Sequence, residues 1–105
     1  MAGIKQSEKQ IQSVICEYLR WKGYLIWRIN NTGIWNAKTQ GSYFHGDKGV
    51  PDLMAINSKT GTLLYVECKS PSGKITIEQQ MFFKALQKVK KVQGCVARGI
   101  KDLPE

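Results

Sequence analysis

The sequence predicts an α/β protein with a mixed central β-sheet flanked by helices. Three observations carry that expectation. Two segments repeat their apolar residues at helical spacing. Short runs rich in β-branched and aromatic residues lie around them. Glycine, proline, serine and asparagine gather at the joins. The order of elements reads helix, strand, strand region, strand, strand, helix, strand, or α-β-β-β-β-α-β, which is a sheet with helical cover.

Ser7 is placed to cap the first helix, which runs to about Lys22. Ile11, Ile15 and Leu19 form its apolar stripe, widened by Val14, Tyr18 and Trp21. Gly23 suits the left-handed position that stops a helix. Tyr24 to Ile29 is β-branched and aromatic and reads as a strand. Asn30 to Lys48 is long and polar, and Ser42 to Phe44 within it reads as a short strand. Asp52 to Ile56 and Thr62 to Lys69 flank a Ser58-Lys59-Thr60-Gly61 turn, so they pair most simply as a hairpin. Thr76 caps a second helix to about Lys91, with Ile77, Met81, Phe82, Ala85, Leu86 and Val89 on its buried face. Gly94 leads into a last strand, Cys95 to Arg98.

The chain has 105 residues, a length that suits one domain over residues 1–105 with a modest core. Sixteen Lys and Arg against eight Asp and Glu give a net charge of +8. That excess points to a polyanionic partner, of which nucleic acid is the commonest. Cys16, Cys68 and Cys95 are odd in number and too widely spaced for a zinc knuckle or a redox pair, so they read as buried thiols. No apolar run reaches membrane-spanning length and the N-terminus lacks a hydrophobic signal segment. A cytoplasmic protein is the expectation (the host cytoplasm if a phage encodes it), with no membrane partner.

The informative residues are polar ones where the pattern expects apolar ones. Alternation along Thr62 to Lys69 puts Leu64, Val66 and Cys68 on one face and Leu63, Tyr65, Glu67 and Lys69 on the other. An isolated Glu-x-Lys pair is most simply an ion pair. Asp52 changes that reading, because a hairpin brings it beside Glu67. Two adjacent carboxylates repel, and a divalent cation is the usual resolution. Hard oxygen donors favour Mg²⁺ or Mn²⁺ over zinc, for which a lone His45 gives little support.

Pro51-Asp52, a spacer, then Glu67-Cys68-Lys69 resembles the signature of PD-(D/E)XK nucleases. The flanks resemble a stand-alone VRR-NUC domain, a branch of that superfamily found in phages, bacteria and eukaryotic repair proteins. They are Ser7-Glu8-Lys9, Trp27-Arg28-Ile29-Asn30-Asn31, Gly46-Asp47-Lys48-Gly49-Val50-Pro51-Asp52-Leu53, Gly61, Val66-Glu67-Cys68-Lys69, and Thr76-Ile77-Glu78-Gln79 with Phe82. Cys68 departs from the pattern, which is more often aliphatic there.

The resemblance implies a restriction-endonuclease-like core and a Mg²⁺- or Mn²⁺-dependent endodeoxyribonuclease. Stand-alone members resemble junction-resolving enzymes, which implies a homodimer acting on branched DNA such as Holliday junctions, in repair or recombination. By the same resemblance Asp52, Glu67 and the backbone carbonyl of Cys68 hold the metal. Lys69 positions the attacking water or steadies the developing charge. Glu8 completes the site, although a first-turn Glu is also favoured by the helix dipole alone. Gln79 holds the lysine or its water. Gln80 is an adjacent decoy that periodicity separates poorly from it.

Basic residues near the site, Arg28, Lys38, Lys48 and Lys74, are candidates to contact DNA, with Asn30 beside them. Trp35, Tyr43 and Phe44 suit base stacking, or a core or dimer contact. Glu17 and the Lys88, Lys90, Lys91 cluster read as solvated helix residues, and His45 as a bystander to the chemistry. A basic nucleic-acid-binding module without catalysis is the rival reading. It explains the charge, but not why acidic residues should converge in a protein that binds phosphate.

Overall fold

The computed structural model describes residues 6–29 and 49–104. Helix α1 (Glu8–Trp21) is followed by β1 (Tyr24–Arg28), β2 (Leu53–Asn57), β3 (Leu63–Cys68), α2 (Ile77–Leu86), β4 (Val92–Ala97) and a 3-10 turn, Ile100–Asp102. The strands form one sheet in the order β1-β2-β3-β4. β1 and β2 pair antiparallel, as do β2 and β3, while β3 and β4 run parallel. Parallel neighbours need a crossover connection, and α2 supplies it. The mixed sheet with helical cover is thus present. Ser42 to Phe44, read above as a strand, lies outside the described residues.

Helix α1 forms for the reasons its sequence suggests. The Ser7 hydroxyl accepts from the Gln10 amide, and the Gln10 side chain accepts from the Ser7 amide, a reciprocal box that satisfies two free donors. Gly23, at φ 96°, turns the chain out of the helix. Ile11, Ile15, Cys16 and Leu19 are buried against Leu53, Ala55, Leu64, Val66, Cys68 and Ala97 on one sheet face. Val14 and Trp21, expected to widen the stripe, are exposed.

The β2–β3 turn fixes the register on which the site depends. Asn57 accepts from the amides of Lys59 and Thr60, and Gly61, at φ 80°, brings the chain back. Leu53 then stands opposite Val66 and Ala55 opposite Leu64. All four point to the α1 side, so a slip by one residue would turn the core outward.

Helix α2 covers part of the other face, and two expectations about it are corrected. It ends at Leu86 rather than Lys91, and β4 starts at Val92 rather than Cys95. Successive tight turns follow Leu86, and Lys91 takes φ 63°, a left-handed conformation. The helix is also rotated from the expected face. Ile77, Met81 and Val89 are exposed. Gln79, Phe82, Phe83 and Leu86, at i, i+3, i+4 and i+7, turn inward instead.

Two contacts account for that rotation. Phe82 packs edge-on against Tyr65, with ring centroids 5.2 Å apart. Phe83 lies over Gly94, where an added Cβ would come within 2.4 Å of the ring. Gly94 therefore lies inside β4 and marks a close approach, not the strand's start. Gly94→Ala should loosen α2 from the sheet and lower stability by about 1–3 kcal/mol, read as a fall in the urea midpoint.

Candidate active site

The site lies where the C-terminal end of β3, the N-terminal end of β2 and the first turns of both helices meet. Continuing the β2–β3 register by one residue sets Asp52 opposite Glu67. Asp52 is held there from two sides. Its carboxylate oxygen accepts from the Cys68 amide at 3.1 Å, and its carbonyl accepts from the Ile29 amide at 2.7 Å. Pro51, fully buried, fixes the approach to the strand.

Glu67 is only 3% exposed. Its Oε2 takes the Lys69 ammonium at 3.5 Å and the Gln79 amide at 2.9 Å. Its Oε1 is buried with no hydrogen-bond partner among the described residues. The alternation read from sequence is present, with Glu67 on the face of Tyr65 and α2, and Leu64, Val66 and Cys68 in the core beneath α1.

Burial, and then the neighbouring Asp52 charge, push the Glu67 carboxyl up to about 7 despite Lys69. Burial also raises Asp52, against the lowering effect of the Cys68 hydrogen bond. Glu8 raises both. It is exposed on the first turn of α1, and its Oε2 and the Lys69 Cδ would each lie 3.4 Å from a Cβ built on Gly73. Burial, and then the Asp52 and Glu67 charges, push the Cys68 thiol up.

Gln79 and Gln80, which periodicity separated poorly, separate cleanly in space. Gln79 closes the α2 cap, accepting from the Thr76 amide through Oε1, and donates to Glu67 through Nε2. Gln80 is exposed and lines a different cleft, with Phe83 and Gly94. The Thr76-x-x-Gln79 capping spacing would have distinguished them. Gly49, at φ 87°, packs on the start of α2 so closely that a Cβ would meet the Glu78 carbonyl at 2.4 Å. That contact ties the segment leading to Asp52 to the helix that carries Gln79.

The structure therefore brings Glu8, Asp52, Glu67, Cys68, Lys69 and Gln79 to one place. Arg28 is exposed at the end of β1, paired with Leu53 next to Asp52, and Lys74 is exposed on the loop after Lys69. Asn30, Lys38, His45 and Lys48, with Trp35, Tyr43 and Phe44, lie outside the described residues. Among the described residues no three His, Cys, Asp or Glu side chains converge into a metal shell by themselves. Sequence reasoning missed two features, the approach of Gly73 and Arg98.

A family model for the VRR-NUC domain matches residues 6–99. The chain belongs to the VRR-NUC family. It is a nuclease domain by that membership, and DNA is the implied substrate. No curated protein and no solved structure matches it significantly. No helix among the described residues is long and apolar enough to cross a membrane.

The raised Glu67 carboxyl has a stability consequence. Its folded pKa of about 7 lies above the ordinary 4.5. Its contribution is thus fully present below 4.5 and is lost as pH rises through about 7. In metal-free buffer the protein should lose on the order of 3 kcal/mol between about pH 5 and pH 8 from this group. Glu67→Gln should flatten that decline, measured by urea unfolding at each pH.

Proposed function

We propose that the chain is a Mg²⁺- or Mn²⁺-dependent endodeoxyribonuclease that hydrolyses phosphodiesters in branched DNA such as Holliday junctions, working as a homodimer. The observation that carries this reading is Glu67, a buried carboxylate with one oxygen held by Lys69 and Gln79 and the other without a partner among the described residues. A buried carboxylate oxygen without a partner, in a group already repelled by a second carboxylate, is costly, and a cation relieves it.

Asp52, Glu67 and the Cys68 carbonyl would hold the metal, with Glu8 completing its environment directly or through water. These donors are all hard oxygens, the set suited to Mg²⁺ or Mn²⁺. The bound cation supplies Lewis-acid polarisation of the scissile phosphate and lowers the pKa of the attacking water. Lys69 offers its ammonium to that water or to the charge developing on phosphate. Gln79 keeps the Glu67 carboxylate turned so that Oε2 faces the lysine and Oε1 stays free.

Arg28 and Lys74, with Asn30, Lys38 and Lys48, would contact the DNA backbone and position it without reading sequence. Two copies about a two-fold axis would give two cuts and a wider basic face. Leu25 and Trp27, exposed on one side of β1, offer apolar surface for the second copy.

The test is cleavage of labelled four-way junction, flap and linear duplex DNA with Mg²⁺, Mn²⁺ or EDTA. Metal-dependent cutting with the junction preferred is expected. Asp52→Asn and Lys69→Ala should each lose at least about 100-fold in rate while DNA binding persists. Cutting of no substrate with either metal rejects the enzyme. Undiminished cutting by the variants rejects the site, and binding without cutting by the wild type leaves a non-catalytic module. Sedimentation at micromolar concentration reads the dimer directly.

A further inference from the structure

Parallel pairing of β3 and β4 continues one step beyond the strands, where the Lys69 amide donates to the Ala97 carbonyl at 3.1 Å. The two chains then part. One enters the loop Ser70 to Lys74, and the other turns at Arg98. The Arg98 side chain reaches back across that gap, its Nη1 donating to the Ser70 carbonyl at 2.6 Å and to the Gly73 carbonyl at 2.7 Å. The Gly73 amide also donates to the Ser70 carbonyl, at 3.0 Å, so the guanidinium caps a turn already closed on itself. Arg98 is in turn anchored through its amide, which donates to the Asp102 carboxylate at 2.9 Å.

What this turn touches is the site. The added Cβ at Gly73 would lie 3.2 Å from the Ser70 hydroxyl and 3.4 Å from both the Lys69 stem and the Glu8 carboxylate. Gly73 thus forms the wall against which the lysine stem and Glu8 rest. Among the described residues, the cation that acts on both Asp52 and Glu67 is Lys69. The Nη1 of Arg98 is committed instead to main-chain carbonyls, and charge-assisted bonds of this kind are the stronger ones.

We propose that Arg98 is a positioning residue, a latch that fixes the loop after Lys69 and so sets the lysine stem and Glu8 against the paired carboxylates. The proposal rests on the nuclease reading for its effect on rate, but the latch itself can be read without catalysis. In hydrogen–deuterium exchange, Arg98→Ala in the full chain should speed exchange of the Gly73 amide, which donates to the Ser70 carbonyl, with the amides of β2 unchanged. Arg98→Lys, which retains one charged donor, should restore part of the protection.

In metal-dependent cleavage, Arg98→Ala should lower kcat by about 10- to 100-fold with little change in KM, because misplacing a reacting group by about 1 Å costs that much. Gly73→Ala, which crowds the same wall from the other side, should lower kcat in the same way. A raised KM with unchanged kcat would make Arg98 a phosphate contact and overturn the latch, as would unaltered loop exchange. If the wild type cuts nothing, the nuclease reading fails and the exchange arm still decides the latch.

Discussion

Burying a carboxylate at the end of β3 leaves the chain with a charge that water no longer stabilises. Glu67 is the group on which the rest of the site depends. Lys69 answers part of its charge, and the Gln79 amide adds a directed hydrogen bond to the same oxygen. Neither reaches Oε1. Asp52 stands opposite and adds repulsion rather than relief. A fold that only needed an ion pair at this position would have left the pair in water, where it costs little. Here the two-stranded register forces the carboxylates together, and the same register is held by the core residues Leu53, Ala55, Leu64 and Val66. The stability of the hairpin and the strain of the site are therefore set by one alignment.

Both helices enter the site through the same device. Each opens with a hydroxyl cap closed by a glutamine three residues on, Ser7 with Gln10 and Thr76 with Gln79. In α1 the box only fixes the start of the helix and so the placement of Glu8. In α2 the capping glutamine has a second bond to make. With Oε1 fixed on the Thr76 amide, Nε2 is aimed at Glu67. The cap thus orients the Gln79 amide toward Glu67 at no cost in additional side chains. The first turn of α2 also brings the positive end of its dipole toward a buried anion, in the direction that helps it. Gly49 clamps the same turn from outside, so the segment entering Asp52 and the helix carrying Gln79 move together.

Much of this was legible in the sequence, for physical reasons that can be named. The period-2 alternation of Leu64, Val66 and Cys68 against Tyr65 and Glu67 gave the faces of β3, and the turn at Gly61 gave the hairpin that brings Asp52 to Glu67. Ser7 and Gly23 marked the ends of α1 by cap chemistry. The failures are equally specific. The end of α2 was missed because no glycine or proline stands between Leu86 and Lys91; the left-handed turn there falls on Lys91, a residue that carries no such signal. Gly94 looked like a boundary but is an accommodation for the Phe83 ring, a tertiary fact that local pattern does not contain. The same contact rotates α2, which is why Ile77 and Met81 were assigned to the wrong face. Arg98 was invisible for a similar reason. Its partners are backbone carbonyls from a loop more than twenty residues away, and carbonyls have no sequence signature.

The charge distribution of the chain has two scales that work in opposite directions. At long range the net charge of +8 attracts a polyanion. That attraction is screened over about 8 Å at physiological salt. Within that distance the balance at the site differs. Asp52 and Glu8 both push the Glu67 carboxyl up, Glu8 also pushes up Asp52, and among the described residues Lys69 is the cation that opposes them at both. A phosphodiester drawn in by the whole surface would meet a centre that is locally acidic. On the proposed function, a divalent cation reverses the local sign, so that seating the phosphate and reacting with it depend on the same ion. That dependence follows from burying Glu67: an exposed pair of carboxylates would be screened by water and salt, and would neither bind a cation firmly nor repel a phosphate strongly without one.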